Sequence, residues 1–510
     1  MISLDIFTHK LEFLIFGIIV VYLWFRFKFT YWERKGVFGP KPVFPFGSIQ
    51  NVIRRKKQFF EPYCEAYFKF KHLPYVGMYA FHRPVLCIHD KELMKQVMMN
   101  DFEHFCSHGC YSGGVGDPLA EHLFNIHGPP WRKLRAKISP TFTISKLKTF
   151  YPFVEKSAND ALEYANKLFE AGEPMNMTEF YDKYSMDITG NVGFGVECNG
   201  FKIADSEFCL RGKEYFDPPS AYWTAVRALA FFAPDFFNAL QLKRINPEIT
   251  EFFYNLVEET VEYREKHNYR RNDFLQALID FKNADELHDT GETDEIPFTI
   301  KDLAANTLLY LFAGYETSAT TGQFAAYELA RNKDIQNKAR EEVIRIIEKH
   351  GGECTYEAQN EMVYMNSVLE ETLRKHPPLR ALFRGCTKDY RLPDNVVIEK
   401  GTLVFIPIHS IQMDPDIFPE PDKFDPQRFS PENRVKIHPC HWMPFGEGPR
   451  KCLGLRQGYI QAKIALVKLL QKYELSLDSR TLQPVIIKPT SMVNAAQGAV
   501  WIRLRKLDNS

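Results

Sequence analysis

The sequence predicts a mainly α-helical fold with small β-sheets, preceded by an apolar N-terminal helix. Three observations carry that prediction. Long stretches repeat their apolar residues at the helical period. Strand-like runs are few and lie mainly towards the two ends. No internal repeat or low-complexity tract breaks the 510-residue chain into modules. No Pro/Ser/Gly-rich linker divides it after residue 50, so residues 49–510 read as a single domain.

The chain opens with LEFLIFGIIVVYLWFRFKF, Leu11 to Phe29. Its uninterrupted apolar part, Phe13–Phe25, is short for a membrane core of about 30 Å. The whole stretch would give roughly 28 Å of helix at 1.5 Å per residue. Glu12, Arg26 and Lys28 stand at its ends, where long side chains snorkel to the interface. No small-x-small cleavage site follows, so residues 1–29 are expected to form a retained transmembrane anchor. Arg26, Lys28, Arg34 and Lys35 follow it and Lys10 precedes it, which puts the main body in the cytosol. The glycosylation sequon Asn176-Met177-Thr178 should then stay unused. Pro40, Pro42 and Pro45 cannot continue a helix and make residues 30–48 a stiff, basic, proline-rich hinge.

Strand-like runs occupy 74–81 and 84–90. A long amphipathic helix covers 145–172 and ends at Gly172. Helical periods recur over Glu248–His267, Ile300–Arg331, Ile335–His350 and Met362–Lys375. YWTAVRALAFFAPDFFNAL, 222–240, is either a segment that dips into a bilayer or a buried helix. Strand patterns return at 395–408 and 499–507. Between them, LGLRQGYIQAKIALVKLLQKY from Leu453 has a strong helical period.

Composition narrows the function. Lys+Arg and Asp+Glu are equal at 64 each, which gives no support to nucleic-acid binding. Ten cysteines are scattered without C-x-x-C pairs, so neither a zinc site nor a disulfide framework is indicated. Cys106 and Cys110 read as free thiols, and a reducing compartment fits. The glycines at 193–195 and 113–116 lack the second half of G-x-G-x-x-G, and G-x-S-x-G and H-E-x-x-H are absent.

PFGEGPRKCLG, Pro444 to Gly454, places Cys452 in a cationic glycine loop at the start of a helix. Helix N-terminal N–H groups and nearby cations favour a thiolate, so the Cys452 thiol is expected to have a lowered pKa. Gly446, Gly448 and Gly454 let the backbone approach a large flat object or take positive φ. Phe445 would shield the sulfur, and Arg450 would bind an acid group beside it. A thiolate alone suits either a nucleophile or a metal. In AGYETS, Ala313 to Ser318, the polar pair Glu316-Thr317 interrupts an apolar helix and must find partners. A threonine hydroxyl bonded to the preceding turn opens a helix slightly. Glu371 and Arg374 share one helix face at i, i+3, and His376-Pro377-Pro378 ends that helix. The spacing alone means little, since Glu342 and Arg345 match it as a surface pair. FDPQRF adds Arg428, and WRKLRAK sets Trp131 and Arg135 one helical turn apart.

The string F-x-x-G-x-R-x-C-x-G, met at Phe445, Gly448, Arg450, Cys452 and Gly454, closely resembles the haem-ligand signature of the cytochrome P450 family. W-x-x-x-R, A-G-x-E-T, E-x-x-R and P-x-R-F precede it in the family's order, and the resemblance spans nearly the whole chain from Pro40. The wording looks most like the membrane-bound branch abundant in insects. It implies a fold with a long central helix, haem b lying between that helix and the cysteine-loop helix, and Cys452 as axial iron ligand. Arg450, Trp131, Arg135 and Arg384 would contact the haem propionates, with Phe445 and Gly446 beside the thiolate. Thr317 and Glu316 would seat dioxygen and guide protons to it. Glu371, Arg374 and Arg428 would form a buried structural cluster.

By the same resemblance the substrate pocket is expected from Phe105, Tyr111 and Leu123, from Leu309, Phe312 and Ala313, from Leu379, Leu382 and Phe383, and from Met492 and Val493. Two stretches depart from relatives: Gln412-Met413, expected either behind the site residues or at the surface, and FCSHGCYSGGVGDP, in the loop that roofs the site. The expected activity is a haem-thiolate monooxygenase of lipophilic small molecules. These would be xenobiotics such as plant toxins or insecticides, or endogenous hormones. Electrons would come from NADPH through NADPH-cytochrome P450 reductase, with cytochrome b5 as a second donor. Arg132, Lys133 and Lys137 read as part of a basic docking face or as a solvated helix face. The expected location is the endoplasmic reticulum membrane, catalytic domain to the cytosol. The rivals are a non-catalytic haem or lipophile carrier and a dioxygen-independent haem-thiolate isomerase.

Overall fold

The computed structural model describes residues 2–113, 116–203, 206–216, 220–288 and 298–507. Part of the roof loop singled out above, Gly114 and Val115, lies outside them. The chain begins with α1 (Ile2–Lys28). Its side chains from Phe13 to Trp24 are largely exposed. No helix among the described residues is long and apolar enough to cross a membrane. Of the expected transmembrane span, Phe13–Phe25, closed by Glu12 and Arg26, covers roughly 20 Å as helix, against about 30 Å of hydrocarbon.

The expected hinge is docked on the body rather than free-standing. Trp32 is buried, its indole Nε1 donates to the Met78 carbonyl at 2.8 Å, and its ring fills the space above Gly77 where any Cβ would collide. Lys35 pairs with Glu399 at 2.7 Å.

Among the described residues nine strands follow in chain order: β1 (Tyr75–Ala80), β2 (Arg83–Ile88), β3 (Met175–Asn176), β4 (Leu382–Gly385), β5 (Tyr390–Arg391), β6 (Val397–Ile398), β7 (Leu403–Ile406), β8 (Tyr473–Leu477) and β9 (Trp501–Lys506). They make a sheet of order β1-β2-β7-β4, another of order β3-β9-β8, and the pair β5-β6. β2 and β7 run parallel, with Val85 opposite Leu403, while β4 is antiparallel to β7 and sets Arg384 opposite Val404. The strand pattern at 395–408 is thus two strands, because Glu399–Thr402 turn between them.

The helices that frame the site are α2 (Gly128–Ile138), α3 (Ile144–Glu170), α4 (Met177–Ile188), α5 (Glu207–Phe216), α6 (Ala221–Phe232), α7 (Pro247–Lys266), α8 (Ile300–Gly314), α9 (Glu316–Arg331), α10 (Lys333–Lys349), α11 (Val363–Lys375) and α12 (Leu455–Lys472). α8 starts at a capping box between Thr299 and Asp302. α4 is capped by Asn176, whose side chain accepts from the Thr178 and Glu179 N–H groups. Its neighbour Thr178 accepts from Gln323 Nε2 at 2.7 Å. The sequon residues are therefore committed to internal bonds.

α9 is buried from Ser318 to Ala330 and α12 from Ile460 to Val467, polar side chains included. They form the main core with α3, α4 and α8. Tyr181 of α4 lies against Gly322 of α9 so closely that a Cβ there would clash with its ring. The stretch 222–240 resolves into α6 and a short helix, Pro234–Ala239. Phe232 and Phe237 are buried, as the buried-helix reading expects, while Tyr222, Phe236 and Leu240 are exposed.

Candidate active site

One cavity of about 1240 Å³ brings together residues scattered over the chain. Cys452, Arg450, Phe445 and Gly446 line it from the cysteine loop, Thr317 and Glu316 from the start of α9, Trp131 and Arg135 from α2, and Arg384 from β4.

The loop is held by its own backbone. Cys452 N–H donates to the Phe445 carbonyl at 2.9 Å, and Lys451 N–H to that of Gly448 at 3.0 Å. Gly446 and Gly448 take φ of 68° and 75°, which favours glycine. At Gly448 an added Cβ would also run into the Met98 carbonyl oxygen. Gly454 has an ordinary φ of −81° and caps α12, so of the two roles open to the loop glycines it does not take the positive φ. Phe445 packs its ring 5.3 Å from that of Tyr459.

Cys452 is the exposed one of the ten cysteines, and its exposure is to the cavity, deep within the protein. The expected lowered thiol pKa is not found. Burial pushes it up, and the Gly454 N–H and the Arg135 charge only partly oppose this. Cys452 stands outside the first turn of α12, where the helix dipole has weakened. A thiolate here needs a Lewis acid bound to it.

Two buried arginines, Arg384 and Arg450, and the half-buried Arg135 line the cavity, and among the described residues no carboxylate pairs with them. Arg450 donates through Nε to the Cys106 carbonyl at 2.7 Å and through Nη2 to that of Ile126 at 2.5 Å. Its guanidinium lies 4.4 Å above the Trp131 ring. Burial and the nearby Arg384 lower its pKa to about 9. Arg384 gives Nη1 to the Phe383 carbonyl at 2.8 Å, but its Nε is buried without a partner, and burial lowers its pKa to about 10. Arg135 donates Nη2 to the Lys451 carbonyl at 2.6 Å, so it braces the cysteine loop, and burial lowers its pKa too. Buried unpaired cations are costly, and carboxylates at the cavity edge would neutralise them.

These features fit haem. The thiol is open to the cavity, the orphaned Arg384 Nε awaits an acceptor, and the volume is large. Among the described residues no three His, Cys, Asp or Glu side chains cluster as metal ligands. An iron at Cys452 would take its other ligands from a prosthetic group. Cys452 would hold the iron through its sulfur, with Arg135, Arg384 and Arg450 on the propionates.

The predicted helix 300–331 is broken at Tyr315 into α8 and α9. The Thr317 hydroxyl donates to the Ala313 carbonyl at 2.6 Å, and Gln461 Nε2 of α12 donates to that of Gly314 at 3.1 Å. Side chains thus occupy carbonyls that the break leaves outside the ladder. The Glu316 carboxylate accepts from Ser491 Oγ at 3.5 Å. Gln461 and Ser491 carry no signal in the sequence.

Tyr111, Leu123, Leu309, Phe312, Ala313, Leu379, Leu382, Phe383, Met492 and Val493 line the cavity. Phe105 does not. It is fully buried on the sheet side and packs 5.0 Å from Tyr390, because its strand-side neighbours offer a closed apolar pocket. His108, in the unusual roof loop, lines the cavity instead, stacked 4.1 Å from Phe124 with its Nδ1 3.3 Å from Arg450.

Glu371 and Arg374 form a fully buried pair at 2.7 Å, and Arg428 Nε lies 3.6 Å from Glu371. Gln412 and Met413 stand behind this pair, the first of the two places expected for them. The Gln412 carbonyl accepts from Arg374 Nη1 at 2.8 Å, and Met413 Sδ lies 3.4 Å from the same nitrogen.

A family profile described as "Cytochrome P450" matches residues 38–502. Similar proteins include "Cytochrome P450 6a2" of Drosophila melanogaster, 34% identical with 96% of this chain and 97% of that protein covered. "Cytochrome P450 6A1" of Musca domestica is 35% identical over 94% and 95%. "Cytochrome P450 6k1" of Blattella germanica is 35% identical over 95% and 94%.

Proposed function

Because the chain belongs to the cytochrome P450 family of haem-thiolate monooxygenases, we propose that it inserts one atom of dioxygen into lipophilic small molecules, using NADPH electrons passed on by a partner reductase. The observation that carries this reading is the shared cavity. A lone thiol, three arginines without carboxylates and a Glu-Thr pair at a helix break all open onto it. Haem b bound at Cys452 would supply the redox chemistry that activates dioxygen. The chain's own residues do the rest. Arg135, Arg384 and Arg450 hold and orient the propionates. Thr317 holds a proton at Oγ1 between the Ala313 carbonyl and the cavity, and Glu316 exchanges protons at its carboxylate with Ser491 and the cavity. Phe124, Phe312 and Phe383 give the walls an apolar face that excludes water and selects lipophilic substrates. Xenobiotics and hormones both fit that chemistry.

NADPH-cytochrome P450 reductase is the proposed electron donor, with cytochrome b5 as a second. The cationic α2 face with Lys133 and Lys137 supports docking, although Arg132 is already paired with Glu103 at 2.8 Å. We place the protein at the endoplasmic reticulum membrane with its body in the cytosol. The exposed apolar side chains of α1 and the cations that follow support this.

The test is a reduced carbon monoxide spectrum of the full chain, followed by turnover with reductase and NADPH over a panel of lipophilic substrates. A thiolate-type band lost in Cys452→Ala, with oxygenated product formed, is expected. A haem-loaded, reducible protein that forms no oxygenated product would make it a carrier and overturn the proposal.

A further inference from the structure

Gln457 and Gln461 stand one turn apart on α12, and both are buried. Each reaches across to α8, where their targets also lie one turn apart. Gln457 Nε2 donates to the Tyr310 hydroxyl, and Gln461 Nε2 donates to the Gly314 carbonyl at 3.1 Å. Four residues advance about 6 Å along either helix, so a slip by one turn would break both bonds. Tyr310 is a fixed target: its ring stacks on Phe274 at 4.6 Å, and a Cβ at Gly193 would approach that ring to 2.6 Å. Gln457 Oε1 is left buried without a partner, a cost that a space-filling side chain would not carry. Gly314 ends α8 at the break. The backbone ladder stops at the Tyr315 N–H, bonded to the Leu311 carbonyl, and resumes at the Ala319 N–H, bonded to that of Tyr315. In an unbroken helix the Gly314 carbonyl would accept from the Ser318 N–H. Here Gln461 takes it instead.

We propose that Gln457 and Gln461 are positioning residues that lock α12 against α8 and hold the break at Tyr315 open, so that Thr317 stays presented to the cavity. What the open break serves rests on the oxygenase reading above; how it is held rests on these bonds alone. α12 is capped by Gly454, two residues after Cys452, so one helix carries the cysteine loop at its start and the clamp on its side. The clamp ties the spacing between the thiol loop and the Glu316-Thr317 pair to a single rigid element. Thr317 itself occupies only the Ala313 carbonyl and cannot replace Gln461. Without the Gln461 amide, the Gly314 carbonyl takes the Ser318 N–H, the ladder closes, and Thr317 turns with it.

The test uses the full-length haem-loaded protein and two readouts. The first is amide hydrogen exchange over residues 312–320, read by mass. Gln461→Met, close in volume but without a donor, should slow exchange of the Ser318 amide about tenfold. Gln457→Met should slow it by less, because Gln461 still holds Gly314. The second is the share of NADPH electrons recovered in product rather than as hydrogen peroxide, most of which Gln461→Met should lose. Gln461→Lys keeps a donor at similar reach and should return both readouts towards the unaltered values. Exchange that is unchanged or faster in Gln461→Met, or equal in the Met and Lys variants, overturns the clamp. Slowed exchange with an unchanged electron share overturns its part in presenting Thr317. If the unaltered chain forms no product, the oxygenase reading fails and exchange alone decides the clamp. Should Gln461→Met fail to load haem, Gln457→Met decides by the same exchange.

Discussion

At Gly448 two constraints coincide: a φ of 75°, and a Met98 carbonyl oxygen standing where a Cβ would go. Gly446 shares only the first, since its nearest neighbours, Leu382 and Met98 side-chain tips, lie 4.0 Å away. Gly446→Ala should therefore cost about 1–2 kcal/mol of backbone strain and still yield haem-loaded protein. Gly448→Ala must displace backbone and should purify with little or no haem. Equal haem-to-protein absorbance ratios for the two would refute this. At Thr317 the hydroxyl can be removed without disturbing the fold, because Gln461 still holds the neighbouring Gly314 carbonyl. Thr317→Ala should keep the carbon monoxide spectrum and lose about 10²-fold in product formation, measured as product per NADPH consumed. Both glycines, the threonine and Cys452 were legible in the sequence, because a covalent pattern fixes them. The direction of the Cys452 pKa was not, because burial is a property of the fold and outweighs the loop's own cations. Phe105 was misplaced for a related reason: an aromatic in a roof-like loop can face either a cavity or a sheet, and only packing decides.

Among the elements, α11 shows how one helix secures the cysteine loop's surroundings. Glu371 and Arg374 project from its face into a site closed to water, and Arg374 gathers the Gln412 and Pro421 carbonyls as well. Removing one charge leaves the other buried and unpaired. Glu371→Gln should destabilise the protein by about 3–5 kcal/mol, read as a lowered thermal midpoint and reduced haem content. A double change of Glu371 and Arg374 to apolar residues should recover part of the loss, and additive losses would argue against a paired charge. The i, i+3 spacing revealed this pair, but not its distinction from Glu342 and Arg345. Glu342 is spent on capping α11 through the Tyr364 and Met365 N–H groups. The break between α8 and α9 was legible only as a tendency. The Glu-Thr pair announced a polar interruption in an apolar helix, but Gln461 arrives from α12 and no local pattern announces it. β3 and β5 were missed because two-residue strands carry no period.

The whole molecule encloses several imidazoles that cannot readily take a proton. Burial lowers His89 to about 4 and His122 to about 3, and it holds His108 and His409 well below their ordinary range, with Arg450 and Arg380 adding to the effect. Between about pH 4 and 6.5 the unfolded chain protonates these four and the folded chain does not. The unfolded state then binds more protons, so stability rises with pH across that window, by about 1.4 kcal/mol per pH unit for each such group. Buried carboxyls work the other way. Burial raises Asp182 and Asp187 to about 6 and pushes Asp117, Glu370 and Glu371 up as well, so over roughly pH 4–6 the folded state holds protons there and loses stability as pH rises. Burial also pushes Glu328 up, but His376 and Lys375 outweigh it and hold it at about 2, so its stabilising charge is lost only as pH falls below the ordinary glutamate range. Burial lowers His82, His127, His376 and His441 too, so among the described residues eight imidazoles against five carboxyls leave a net gain with rising pH. The thermal midpoint should climb from pH 4.5 to 6.5 and then level off. His122→Gln, which keeps an acceptor for the Asn125 amide, should climb less steeply. A midpoint that is flat or falling over that range would show that the carboxyls dominate. None of this was visible in a chain with equal numbers of acidic and basic residues, because the balance depends on which groups the helical body and the mixed sheet enclose around the cavity.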